Sequence, residues 1–105
     1  MAPRPARLIL LASVGLALPA LAGDTVRVKI EQLRFDPPQA AVHVGDTIEW
    51  TNGDFVAHTA TARNKDWDVT IPPKGVARVI VQHPGEVDYF CRFHPNMTGR
   101  ISVEP

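Results

Sequence analysis

Cys91, His94 and Met97 stand three residues apart in Asp88-Tyr89-Phe90-Cys91-Arg92-Phe93-His94-Pro95-Asn96-Met97, and Cys91 is the only cysteine in the chain. A thiolate, an imidazole and a thioether at this spacing form a soft-to-borderline set of metal ligands. One more imidazole completes a His2Cys trigonal site with a weak axial Met, an arrangement that suits copper. His58 is the candidate for that imidazole. It lies far upstream of Cys91, so only a folded scaffold can bring the two together.

The chemistry favours copper over its rivals. Thioether is a poor fourth ligand for structural zinc, which takes Cys, His or carboxylate. Covalent c-type haem needs C-x-x-C-H, and the second cysteine is absent. A Cys-His hydrolase needs an oriented base and an oxyanion hole, and Cys91 and His94 are too close together, with Pro95 constraining the loop. Singly, Cys91 and Met97 read as core fillers, His94 as a loop histidine and His58 as a loop cap. Jointly those readings leave the spacing unexplained. His43 and His83 fall on an outward strand position and before a Pro-Gly turn, and are expected at the surface.

The compartment adds weight. Arg4 and Arg7 precede an apolar run, Leu8 to Leu18, and Ala20-Leu21-Ala22 has the small-x-small form of a signal-peptidase site. The run falls short of the ~20 apolar residues of a transmembrane helix. Residues 1–22 are therefore expected to be a signal peptide and residues 23–105 one small domain, exported to the periplasm and without stable membrane insertion. Loss of Arg4 and Arg7 takes Lys+Arg from 11 to 9 against 11 Asp+Glu, a net charge of −2. That balance offers no basic footprint for nucleic acid. In an oxidising compartment a disulfide framework needs paired cysteines, so a single thiol calls for another explanation.

The elements that must position the ligands read as strands. Asp24 to Ile30 alternates. Phe35-Asp36-Pro37-Pro38 is an irregular or edge segment. Ala40 to Val44 turns Val42 and Val44 inward, and Thr47 to Thr51 turns Ile48 and Trp50 inward. Asn52-Gly53 opens a loop to His58. Thr59 to Ala62 is extended but weakly patterned, Trp67 to Ile71 is a short strand, and Val76 to Val81 is a clear one. Val87 to Cys91 delivers the cysteine at its end, and Ile101 and Val103 close the chain. Trp50 is expected in the core, with Trp67 either core or rim. No segment shows a helical period. About eight short strands with regular turn signals predict an all-β, antiparallel sandwich or barrel.

These segments resemble the cupredoxins, the small type I blue copper proteins. The resemblance is carried by Phe35-Asp36-Pro37, Val44-Gly45-Asp46-Thr47-Ile48-Glu49-Trp50-Thr51-Asn52, His58, Pro84-Gly85-Glu86-Val87-Asp88-Tyr89-Phe90-Cys91 and His94-Pro95-Asn96-Met97-Thr98-Gly99. The short C-x2-H-x2-M loop is most similar to that of the amicyanins, and the whole to an amicyanin/plastocyanin-like domain. The resemblance implies a single Greek-key β-sandwich with one copper ion near one end. It implies His58, Cys91 and His94 as equatorial ligands and Met97 as the axial one. It implies a monomeric one-electron carrier cycling between Cu(I) and Cu(II), not an enzyme, which meets redox partner proteins through an apolar patch around His94. Phe55, Val56, Phe93 and Pro95 are the patch candidates. Many cupredoxins follow the first histidine ligand with Asn, which ties the two ligand loops together; Thr59 stands there, and its hydroxyl is expected to make a similar bond with less reach. The alternatives are a copper-binding or copper-delivery protein, against which the absence of a His- or Met-rich tail speaks, and a metal-free sandwich used for adhesion or assembly.

Overall fold

The computed structural model describes residues 23–105; the expected leader, residues 1–22, lies outside the described residues. Among the described residues, nine strands form two facing sheets: β1 (Thr25–Glu31), β2 (Arg34–Asp36), β3 (Gln39–His43), β4 (Thr47–Asn52), β5 (His58–Ala62), β6 (Asp68–Ile71), β7 (Val76–Ile80), β8 (Gly85–Cys91) and β9 (His94–Glu104). One sheet has the order β2-β1-β4-β7 and the other β3-β9-β8-β5-β6. The chain passes repeatedly from one sheet to the other, giving the Greek-key sandwich.

Two pairings depart from the antiparallel expectation. β1 runs parallel to β4, Val26 opposite Ile48 and Val28 opposite Trp50, and β3 runs parallel to β9, Val42 opposite Val103. Alternating hydrophobicity reports which face of a strand is buried, not which way its neighbour runs. Phe35-Asp36 is a true edge strand, antiparallel to β1, and it supplies the ninth strand. Val44 is a correction. Expected inward, it is 41% exposed, because β3 ends at His43 and the chain turns through Gly45 at φ 97°, which breaks the alternation.

The core lies between the sheets. Val28, Ile30, Ile48, Trp50, Ile71, Val87, Tyr89 and Ile101 are buried in it, and Cys91 and Met97 belong to the same cluster. Trp67 is core, not rim: its ring lies 5.3 Å from those of both Trp50 and Tyr89. The Trp50 indole N–H donates to the Tyr89 hydroxyl at 3.3 Å, and burial pushes the Tyr89 phenol up to about 12. Gly99 faces this ring. A Cβ there would lie 2.5 Å from the Tyr89 ring, so only glycine fits opposite it. His43 and His83 are exposed, as expected.

Candidate metal centre

β8 and β9 meet in a tight hairpin through Arg92-Phe93. Phe90 pairs with Thr98, yet the next residue, Cys91, pairs with His94. Pro95, Asn96 and Met97 therefore have no partner on β8. This break in register does two things. It sets the thiol and the imidazole directly across from each other, and it gives the chain slack to turn the Met97 side chain into the core, where it is buried. The last strand thus begins at His94, well before Ile101 and Val103, with residues 95–97 as an irregularity inside it.

His58 opens β5, the neighbour of β8. Its side chain is fully buried, as is that of Cys91. β5 was hard to read in the sequence because His58, Thr59, Ala60 and Ala62 are all buried, on both faces; alternation vanishes where neither face meets water. His58 Nδ1 and His94 Nδ1 each lie 3.7 Å from Cys91 Sγ. The ligating atoms of all three residues fall within 4.8 Å of one another. With bonds of about 2.3 Å to sulfur and about 2.0 Å to nitrogen, donors 120° apart around one ion sit about 3.7 Å from each other. The three residues thus fit a single metal ion, and a thiolate with two imidazoles beside a buried thioether fits copper. The structure brings His58, Cys91 and His94 to one point. Met97 is buried next to His94, with which, together with Leu33, Pro95 and Asn96, it lines a surface cleft.

Hydrogen bonds hold the two ligand segments together. The Thr59 N–H donates to Cys91 Sγ at 3.3 Å, and the Arg92 N–H donates to Thr59 Oγ1 at 2.8 Å. Thr59 therefore makes the tie expected of it. Its hydroxyl also meets Thr61 Oγ1 at 2.9 Å, and Thr61 donates to Asp68 Oδ1 at 2.8 Å. Since the single Thr61 proton goes to the carboxylate, the Thr59 hydroxyl must donate to Thr61, which leaves its lone pairs free for Arg92.

The loop between β4 and β5 is built around Asn52, a buried side chain whose amide donates to the carbonyls of Val56, Ile71 and Pro72 and whose Oδ1 accepts from the Asp54 N–H. Asp54 is the residue sequence reasoning missed. Its carboxylate accepts from the Gln32 and Leu33 N–H groups, at 2.8 and 3.0 Å, and from His58 Nε2–H at 2.8 Å. Burial pushes this carboxyl up, but the bonds from Leu33, His58 and Gln32 outweigh it and hold it below its ordinary 3.8. The only sequence signal was an acidic residue four positions before a histidine.

His94 is partly exposed, and its chain neighbours Phe93 and Pro95 are exposed, as are Phe55 and Val56 in the loop before His58; Phe55 is 84% exposed. Lys74 lies 4.2 Å over the Phe55 ring. Leu33, from the turn between β1 and β2, is exposed and lines the same cleft as His94 and Pro95.

The family model described as a cupredoxin-like domain matches residues 6–103. The chain belongs to the cupredoxins. It is 30% identical to the amicyanin of Paracoccus versutus over 77% of its own length and 66% of that protein's. It is 32% identical to a plastocyanin from a Synechococcus strain, over 92% of this chain and 90% of that one. The crystal structure of the Paracoccus versutus amicyanin superposes with a TM-score of 0.67 at 29% identity, covering 83% of this cupredoxin and 85% of the other chain.

Proposed function

We propose that this cupredoxin is a one-electron carrier with a mononuclear type I copper centre. His58, Cys91, His94 and Met97 would hold the copper, the thiolate and the two imidazoles as the close donors and the thioether as the weak fourth. The observation that carries this reading is the convergence of two Nδ1 atoms and one thiol sulfur, two of the three side chains fully buried, at the end of a rigid sandwich. Copper, alternating between Cu(I) and Cu(II), supplies the redox chemistry when bound.

The chain supplies the rest. Cys91 at a strand end and His58 at a strand start are fixed by their ladders and by the Thr59 bonds, so little has to rearrange when the charge at the site changes. The Thr59 N–H bond to Cys91 Sγ withdraws electron density from the thiolate, one of the levers that set a site's potential. The core side chains exclude water from behind the ligands. His94 alone reaches toward solvent, and it is the port through which electrons enter and leave. Phe55, Val56, Phe93, Pro95 and Leu33 give partner redox proteins an apolar face, which suits a small and short-lived interface. Residues 1–22 act as an export signal, the working form is a monomer of residues 23–105, and the protein works in the periplasm.

Delivery of copper to another protein is the competing use of the same ligands. The two are separated by loading the protein with copper and cycling it between oxidised and reduced forms beside a Cu(I) chelator. A carrier keeps its copper through repeated cycles. Transfer of the ion to the chelator within the first reduction would overturn the carrier reading.

A further inference from the structure

Asp54 touches no other ligand than His58, yet it has the geometry to decide how His58 binds. Three donors converge on its carboxylate: Gln32 N–H on Oδ1, and Leu33 N–H and His58 Nε2 on Oδ2. An acceptor at 2.8 Å requires the imidazole proton on Nε2. The lone pair then lies on Nδ1, the atom that faces Cys91 Sγ. Asp54 is itself held by the turn between β1 and β2, where Gln32 and Leu33 both take positive φ, 54° and 58°, and by the Asn52 Oδ1 bond to its own N–H. Its side chain is only 17% exposed, so its charge is weakly screened by water.

We propose that Asp54 is a positioning residue that fixes His58 in the Nε2–H tautomer and, by its negative charge behind the ring, favours Cu(II) over Cu(I) and so lowers the reduction potential. The proposal rests on the copper-carrier reading for its second half only; the tautomer is a property of the metal-free protein. Partners of this kind orient histidine ligands and raise their basicity.

Asp54→Asn tests it sharply, because an amide cannot serve three donors. With its oxygen toward Leu33 and His58, its NH2 opposes the Gln32 N–H. Turned the other way, the NH2 donates to His58 Nε2, which moves the imidazole proton to Nδ1 and removes the metal's lone pair. Asp54→Glu keeps the carboxylate.

The experiment is a nitrogen-15 NMR spectrum of the histidine rings in the metal-free protein, for wild type, Asp54→Asn and Asp54→Glu, followed by Cu(II) competition titration and voltammetry. The expected results are Nε2–H in the wild type, loss of that single tautomer in Asp54→Asn with about 10- to 100-fold weaker Cu(II) binding and an upward shift in potential, and recovery toward wild type in Asp54→Glu. A wild-type His58 protonated on Nδ1 would overturn the proposal, as would an Asp54→Asn protein with tautomer, affinity and potential unchanged. Should Asp54→Asn fail to fold, by circular dichroism, the wild-type spectrum and Asp54→Glu decide. A wild-type Nε2–H tautomer in a protein that binds no copper would sink the carrier reading while upholding the role of Asp54 in orienting His58.

Discussion

Two aspartates sit beyond the two ends of β4 and do nearly the same work. Asp46, just before the strand, accepts the N–H groups of Asp24 and His43 at 2.9 and 2.8 Å. Asp54, just after it, accepts those of Gln32 and Leu33. Each thereby ties a loop to one end of β1, the parallel neighbour of β4. The difference is the imidazole beside each. His43 is exposed, with its Nδ1 3.8 Å from Asp46, and no other metal-ligating side chain cluster lies there among the described residues. His58 is fully buried, bonded to Asp54 through one nitrogen and facing a thiol with the other. The same clamp is structural at one pole and becomes part of a site at the other, and what distinguishes them is burial and a second bond, not residue type.

Damage to the shared core should strike both poles at once and have the largest effect. Trp50 touches Trp67 and Tyr89, and Trp50→Ala is expected to cost about 3–5 kcal/mol, read as a fall in the denaturant midpoint. Gly99→Ala, which would drive a Cβ into the Tyr89 ring, is expected to cost about 1–3 kcal/mol by overpacking.

Damage to one pole should then separate them. Asn52→Ala removes the amide that ties the loop before His58, at the Val56 carbonyl, to the carbonyls of Ile71 and Pro72 at the end of β6, a loss of about 1–3 kcal/mol. It should also broaden the His58 ring signals while those of His43 stay sharp. Equal effects on both histidines would break the comparison.

Acid should affect the clamps together. Hydrogen bonding from the His43 N–H, against the opposing pull of burial, holds the Asp46 carboxyl below its ordinary 3.8, and the Asp54 carboxyl lies below it too. A carboxyl whose folded pKa is depressed stabilises the fold fully above its unfolded value and loses that contribution as pH falls through the folded one. The metal-free protein should therefore melt at progressively lower temperature below about pH 4, and Asp46→Asn should flatten that fall without touching the His58 tautomer. A melting temperature unchanged on acidification would contradict both clamps.

The smallest effect on stability is expected at Phe55. Phe55→Ala should change it by no more than about 0.5 kcal/mol, as an exposed position, while slowing electron exchange with a partner protein measured by stopped flow. An unchanged rate would remove Phe55 from the proposed docking face.

Much of this was legible in the chain. The spacing of Cys91, His94 and Met97 is local, and one hairpin with a break in register is enough to realise it. The strands with one wet face announced themselves by alternation. β5 did not, because it is covered on both sides, and the parallel partners of β1 and β3 could not be read because alternation carries no direction. Val44 misled for a simpler reason: an apolar residue continued the pattern one step past the end of its strand. Asp54 was invisible because its partners Gln32 and Leu33 reach it from a turn more than twenty residues upstream. His58 could be nominated by its residue type, but nothing local to it says which nitrogen faces the thiol.

The most direct test of the central claim is the visible spectrum of the purified protein on addition of Cu(II), with Cys91→Ser alongside. A type I centre predicts an intense blue thiolate-to-copper band in the wild type that is absent in Cys91→Ser. A colourless wild type with weak copper binding, or the same spectrum from both proteins, would contradict it.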